Sequence, residues 1–158
     1  MKKQNHILIS LTPRHAYNVF AGTKTVELRR RAMHISEGTF AWIYVKLPIG
    51  AIVGCIQIGS IHIKSPENLW RDFSSVSGLS ESEFFNYFEG TPEGIALEIS
   101  NTTKLKAPLS LDFLRGKLSS FHPPQFFTNL NDSSPILNLL RSSRSHRPKN
   151  KKQSEKKA

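Results

Sequence analysis

Gly22-Thr23-Lys24-Thr25-Val26-Glu27-Leu28-Arg29-Arg30-Arg31 is the stretch on which the fold of this chain turns. Alternate residues of a strand share a face. A strand from Lys24 to Arg31 therefore points Val26 and Leu28 one way and Glu27, Arg29 and Arg31 the other. A row of fixed charges backed by a core-facing row marks the wall of a binding site. Immediately upstream, Thr12 suits an N-cap and Pro13 the first helical position. Ala16, Val19 and Phe20 recur at helical spacing, which predicts a helix from Pro13 to about Ala21. Gly22 is placed to end that helix in a left-handed conformation.

Working outward, His6 to Leu11 reads as a first strand. Phe40 to Lys46 alternates, with Phe40, Trp42 and Tyr44 on one face and Ala41, Ile43 and Val45 on the other. Ala51 to Ile63 is a long β-rich segment, with Gly54 and Gly59 as expected bends or bulges. Ser65-Pro66 opens a second helix carrying Leu69, Trp70 and Phe73. Ser80-x-x-Glu83 is a capping box that opens a third, anchored by Phe84, Phe85 and Phe88 and stopped by Gly90. Gly94 to Ser100 alternates as a strand, Leu109 to Leu118 is short helix or irregular, and His122 to Gln125 is extended. Consecutive strands without intervening helices exclude a βαβ architecture and suit a small mixed barrel.

A length of 158 residues implies one domain, residues 1–140, followed by a tail, residues 141–158. The net charge of +10 is unevenly spread. Residues 141–158 hold eight Lys/Arg and one Glu, leaving only +3 on the rest. So polar a tail is expected to be disordered, and either to add salt-sensitive affinity for polyanions or to be a solvated terminus. The single cysteine, Cys55, lies in an Ile/Val-rich run and reads as a buried, inert thiol. No intramolecular disulfide is possible. With no membrane-length apolar run and no signal peptide, the expected compartment is the cytoplasm, with no membrane partner.

Gly22-x-Lys24-x-x-Glu27-x-Arg29 after a short helix resembles the signature of the ASCH domain, a member of the PUA-like superfamily. The paired strands around Ala41–Val45 and Ile52–Gly54 add to the likeness, as do Leu69-Trp70, Phe84 to Gly90 and Pro123-Pro124-Gln125. It extends over about residues 6 to 130. The resemblance implies an α+β fold, a PUA-like mixed β-barrel with short helices across its openings. It also implies binding of RNA, another nucleic acid or a nucleotide-like small ligand, in RNA metabolism or in regulation linked to transcription or translation.

On residue types alone, Lys24, Glu27 and Arg29 read as a surface ion-pair ladder rather than a cleft. The resemblance favours the cleft. There Arg29 holds a phosphate or base edge, Glu27 orients Arg29 or accepts a hydrogen bond, and Lys24 contacts phosphate. Arg30 and Arg31 extend the basic run. Trp42 reads as core, whereas the Tyr44 hydroxyl can reach a polar edge. The histidines lack metal-ligand spacing and no cofactor motif is present, so neither a metal nor a cofactor is expected.

Two other functions are open. One is a hydrolase, either a ribonuclease or an amidohydrolase of a modified nucleoside, with Lys24 and Glu27 as catalytic candidates. One ASCH-like subgroup deacylates a cytidine with the motif lysine, a threonine and a distant glutamate. In this chain the threonine position is Glu27 and the glutamate falls near Ser77. The other is a protein-interaction module of the transcription-coactivator type.

Overall fold

The alternation read at Phe40 sorts the core into layers. The computed structural model describes residues 4–144. Phe40, Trp42 and Tyr44 enter one buried cluster, and Ala41, Ile43 and Val45 enter another on the opposite face of the sheet. Six strands carry this pattern: β1 (His6–Leu11), β2 (Val26–Arg29), β3 (Phe40–Val45), β4 (Ala51–Lys64), β5 (Gly94–Ser110) and β6 (Phe127–Leu130). They form one mixed sheet in the order β2-β5-β4-β3-β1-β6, with β1 parallel to β3 and the other neighbours antiparallel. With the five short helices this is the expected α+β, barrel-like fold, as an open half-barrel with β2 and β6 at its edges.

The helices close the faces. Helix α1 (Pro13–Ala21) presents Ala16 and Val19 to the cluster of Ile7, Ile9 and Ile43. Pro13 sits in its first turn, and Gly22 ends it at φ +82°. Helices α2 (Pro66–Phe73) and α3 (Glu81–Tyr87) cover β2 and β5, with Leu69, Phe73, Phe84 and Phe88 packed on Val26, Leu28 and Ala96. The Ser80–Glu83 capping box forms in both directions, with N–H···O distances of 3.2 and 3.1 Å. Helix α4 (Leu111–Lys117) and helix α5 (Pro135–Arg144) close the Trp42 face with Leu114, Leu137 and Leu140, each fully buried. Complete burial of one such leucine contributes about 1.5–3 kcal/mol.

The long strands bend where glycine was expected to bend them. Register shifts in the β4–β5 ladder fall between Ile52 and Gly54, between Gln57 and Ile58, and between Ile58 and Ile61, the last bracketing Gly59. At Gly54 the reason is steric: a Cβ there would stand 2.5 Å from the Thr103 carbonyl oxygen and 2.7 Å from the Phe20 ring.

Three boundaries differ from expectation. The motif strand is shorter, ending at Arg29, so Arg30 and Arg31 lie outside the ladder and strand alternation does not govern Arg31. Strand β5 runs ten residues beyond Ser100 because β4 supplies a partner along its length. Helix α5 continues through Arg141 to Arg144, the first four residues assigned to the tail, because Leu137 and Leu140 anchor it to the core. The remaining tail, residues 145–158, lies outside the described residues.

Candidate functional site

Strand β2 does place its charged row on a cleft. Val26 and Leu28 are buried beneath α2 and α3, while Glu27 and Arg29 face a cavity of about 330 Å³. Its walls come from the end of β1 (Ser10 to Thr12), from His15 on α1, from Lys46 after β3, and from Glu83 and Tyr87 on α3. Gln125 and Phe126 close the rim. The segment bearing them is tied down by Ser10, whose Oγ donates to the Pro124 carbonyl at 2.6 Å and whose N–H donates to the Phe126 carbonyl at 3.1 Å.

Glu27 and Arg29 pair directly, Nη2 to Oε1 at 3.0 Å, and both are largely buried. Arg29 Nε is buried with no hydrogen-bond partner among the described residues. The carboxylate thus holds one arm of the guanidinium and leaves donor capacity for a ligand oxygen.

Lys24 is 3 % exposed, and its Nζ donates to the Ser77 carbonyl. Burial is the main cause that lowers its pKa below 10.5, with Arg29 and Arg14 adding to the effect and Glu27 opposing it. The connector between α2 and α3 is responsible for this placement. Three successive carbonyls, of Val76, Ser77 and Gly78, accept from the Thr25 N–H, Lys24 Nζ and Arg14 Nη2. Gly78, at φ +72°, packs against the lysine stem. Arg14 also grips Glu83 through two contacts of 2.6 and 3.0 Å, and that bonding holds the Glu83 carboxyl down at about 2.

The sequence gives no hint of His15 as a site residue, because its setting is made by contacts distant in the chain. It is half-buried in the cleft, with Nδ1 buried and unpartnered among the described residues. Burial first, then the Lys24 charge, pushes its pKa below 6.5, so the ring is neutral at pH 7. Tyr87, another missed residue, donates its hydroxyl to the Leu28 carbonyl at 3.1 Å. Burial raises its pKa.

Lys24, Glu27 and Arg29 therefore meet in one cleft, and the other three named positions do not join them. Arg30 Nη2 is engaged by the Glu89 carbonyl at 2.9 Å, and Arg31 is exposed beyond the strand end. Tyr44 is 3 % exposed inside the Trp42 cluster, on the other side of the sheet from α1. Among the described residues no group of three or more His, Cys, Asp or Glu is placed to hold a metal ion. Nor is any helix among them long and apolar enough to cross a membrane.

No family model matches the chain. It is 32 % identical over 121 residues to the ASCH domain-containing ribonuclease of Zymomonas mobilis, an alignment spanning 77 % of this chain and 81 % of that protein. The chain belongs to the ASCH domain family. The crystal structure of the ASCH protein from Zymomonas mobilis superposes on it with a TM-score of 0.79 at 31 % identity, covering 87 % of this chain and 94 % of that one. A 27 % match over 105 residues to the large ribosomal subunit protein uL22 of Ureaplasma parvum covers 66 % of this chain. The matched region spans about a third of the ribosomal protein, 34 % of its length.

Proposed function

We propose that this ASCH protein binds single-stranded RNA in the Lys24–Glu27–Arg29 cleft and cleaves it. The observation that carries this is the convergence of a buried lysine, a carboxylate-held arginine and a neutral histidine in one cavity. The relative named as a ribonuclease supports the choice of RNA as substrate.

The nucleophile for RNA cleavage is carried by the strand itself. The 2′-oxygen attacks the adjacent phosphorus, the 5′-oxygen leaves, and a 2′,3′-cyclic phosphate remains. His15, neutral near pH 7, takes the 2′-hydroxyl proton. Arg29 holds the phosphate oxygens with the arm that Glu27 leaves open, where charge builds up in the transition state. Lys24, whose burial makes its ammonium more acidic than usual, gives a proton to the departing 5′-oxygen.

The amidohydrolase alternative is less well served. Near Ser77, where the glutamate of that subgroup falls, Lys24 meets a backbone carbonyl and not a carboxylate.

The test incubates single-stranded RNA with the full chain and with Lys24→Ala, Arg29→Ala and His15→Gln, reading binding and cleavage together. Cleavage by the native chain that Lys24→Ala and His15→Gln lose, with binding kept by His15→Gln, supports the proposal. Binding without cleavage by the native chain reduces it to an RNA-binding domain. Cleavage that survives all three substitutions removes the cleft as the active site.

A further inference from the structure

A second polar cavity lies at the other end of β1. It has a volume of about 320 Å³ and is lined by Asn5, His6, Thr39, Asn129 and Asn131, among others. Two of its side chains are buried with polar atoms that find no hydrogen-bond partner among the described residues: His6 Nε2 and Thr39 Oγ1. His6 is 5 % exposed and Thr39 2 %. A buried polar group left unpaired loses its water without replacement, so two at one cavity call for an occupant.

The hydrogen-bonding character of the cavity is fixed by Trp42. Its indole N–H, which can only donate, reaches His6 Nδ1 at 3.1 Å. Nδ1 is therefore the acceptor, and the proton of the neutral ring is on Nε2. Burial, with the charges of Arg141 and Arg144, disfavours the imidazolium. The His6 ring is stacked on Phe40 at 5.3 Å and lies nearly parallel to Trp42, edge to edge through that hydrogen bond. The cavity thus offers a rigid N–H donor, a hydroxyl that both donates and accepts, and amide side chains. At the rim Asp132 meets Arg141 at 3.4 Å, and Arg144 lies over the Phe40 ring. An uncharged ligand rich in hydrogen-bonding edges fits this set.

The two cavities share an edge of the sheet. Strand β1 contributes Ser10 and Leu11 to the cleft and His6 and Ile7 to the second cavity. Strand β6, the edge strand antiparallel to β1, follows Phe126 at the cleft and brings Asn129 and Leu130 to the cavity. The strand rise puts them roughly 13 Å apart, about four stacked nucleotides or fewer extended ones. Thr128 and Asn129 are exposed between them.

We propose that the His6–Thr39 cavity is a nucleobase-binding site, which takes one unstacked base of a strand whose phosphate lies in the Lys24–Arg29 cleft. The choice of a base as ligand rests on the RNA function proposed for that cleft. Its recognition here is through hydrogen bonds to the base edge, not through charge.

Titrating free nucleosides tests the site without the cleft. In isotope-labelled full chain, the Trp42 indole N–H signal, assigned with Trp70→Phe, reports on His6. A saturable shift with at least one of uridine, cytidine, adenosine or guanosine is expected. It should persist in Lys24→Ala and weaken about fivefold in Thr39→Val, the worth of one hydrogen bond. Thr39→Val keeps the side-chain shape and removes an unpaired hydroxyl, so the fold should tolerate it, and a thermal melt checks this. A signal that no nucleoside moves, or a shift equal in native chain and Thr39→Val, overturns the proposal and leaves a cavity serving water alone. Nucleoside binding here in a chain that does not bind or cleave RNA would refute the cleft and keep the base site.

Discussion

Lys24 donates its ammonium to the backbone carbonyl of Ser77, a residue 53 positions away that carries no charge. The amine is therefore buried without a directly bonded carboxylate, and Glu27 is committed to Arg29. Lys24→Met keeps most of the stem and removes the charge. RNA cleavage should fall by about 10²-fold or more, as when a transition-state donor is lost. Thermal stability at pH 7 should hold or rise, since a buried charge with little compensation is removed. Paired melting and cleavage assays check both. A drop in stability with cleavage intact would make Lys24 a purely structural residue.

The pH dependence of stability has a defined sign. His6 and His15 both have folded-state pKa values below 6.5. Below that pH the unfolded chain binds protons that the folded chain resists, so stability falls as the solution is acidified through this window. Above it both states hold neutral rings and the effect vanishes. Urea unfolding between about pH 5 and 7 should show this slope, and His15→Gln should flatten it. For Lys24 the folded pKa is also lowered, so its penalty is relieved as pH rises towards 10.5.

Cys55 should be silent in the native protein. It is buried beside Trp42, and burial pushes its pKa up to about 12. A thiol reagent at pH 8 should label essentially none of the folded chain and one site per chain in denaturant. Rapid labelling of the folded chain would show that β4 opens readily.

Gly54→Ala should destabilise without touching the cleft. The new methyl group has no room between the Thr103 carbonyl and Phe20, and the backbone cannot give way cheaply. A loss of about 1–3 kcal/mol is expected from denaturant unfolding. An unchanged midpoint would mean that the ladder shifts register to accept the methyl.

Much of the fold was legible where the signal is local. Pro13 and Gly22 bracket α1, the Ser80–Glu83 box opens α3, and strict alternation divides Phe40–Val45 between two faces. The misses have a common cause. Strand β6 is short, and the apolar residues of β6 and of helix α5 acquire meaning only against β1 and the Trp42 cluster. Parallel pairing of β1 with β3 likewise leaves no mark within either segment. In the cleft, Lys24, Glu27 and Arg29 share one motif and were read together. His15 and Tyr87 reach the same cavity from two helices, and no spacing rule links them to the motif.

The connector over Lys24 holds the motif through Val76, Ser77 and Gly78 carbonyls alone. Every residue type supplies that oxygen, but position 77 is constrained on other grounds: Ser77 is fully buried, and its hydroxyl donates to the Ser74 carbonyl and accepts from the Leu79 N–H. Gly78 is constrained as well, with its left-handed backbone against the lysine stem. The setting of the amine is thus held by main-chain oxygens whose path is fixed by one small hydroxyl side chain and one glycine.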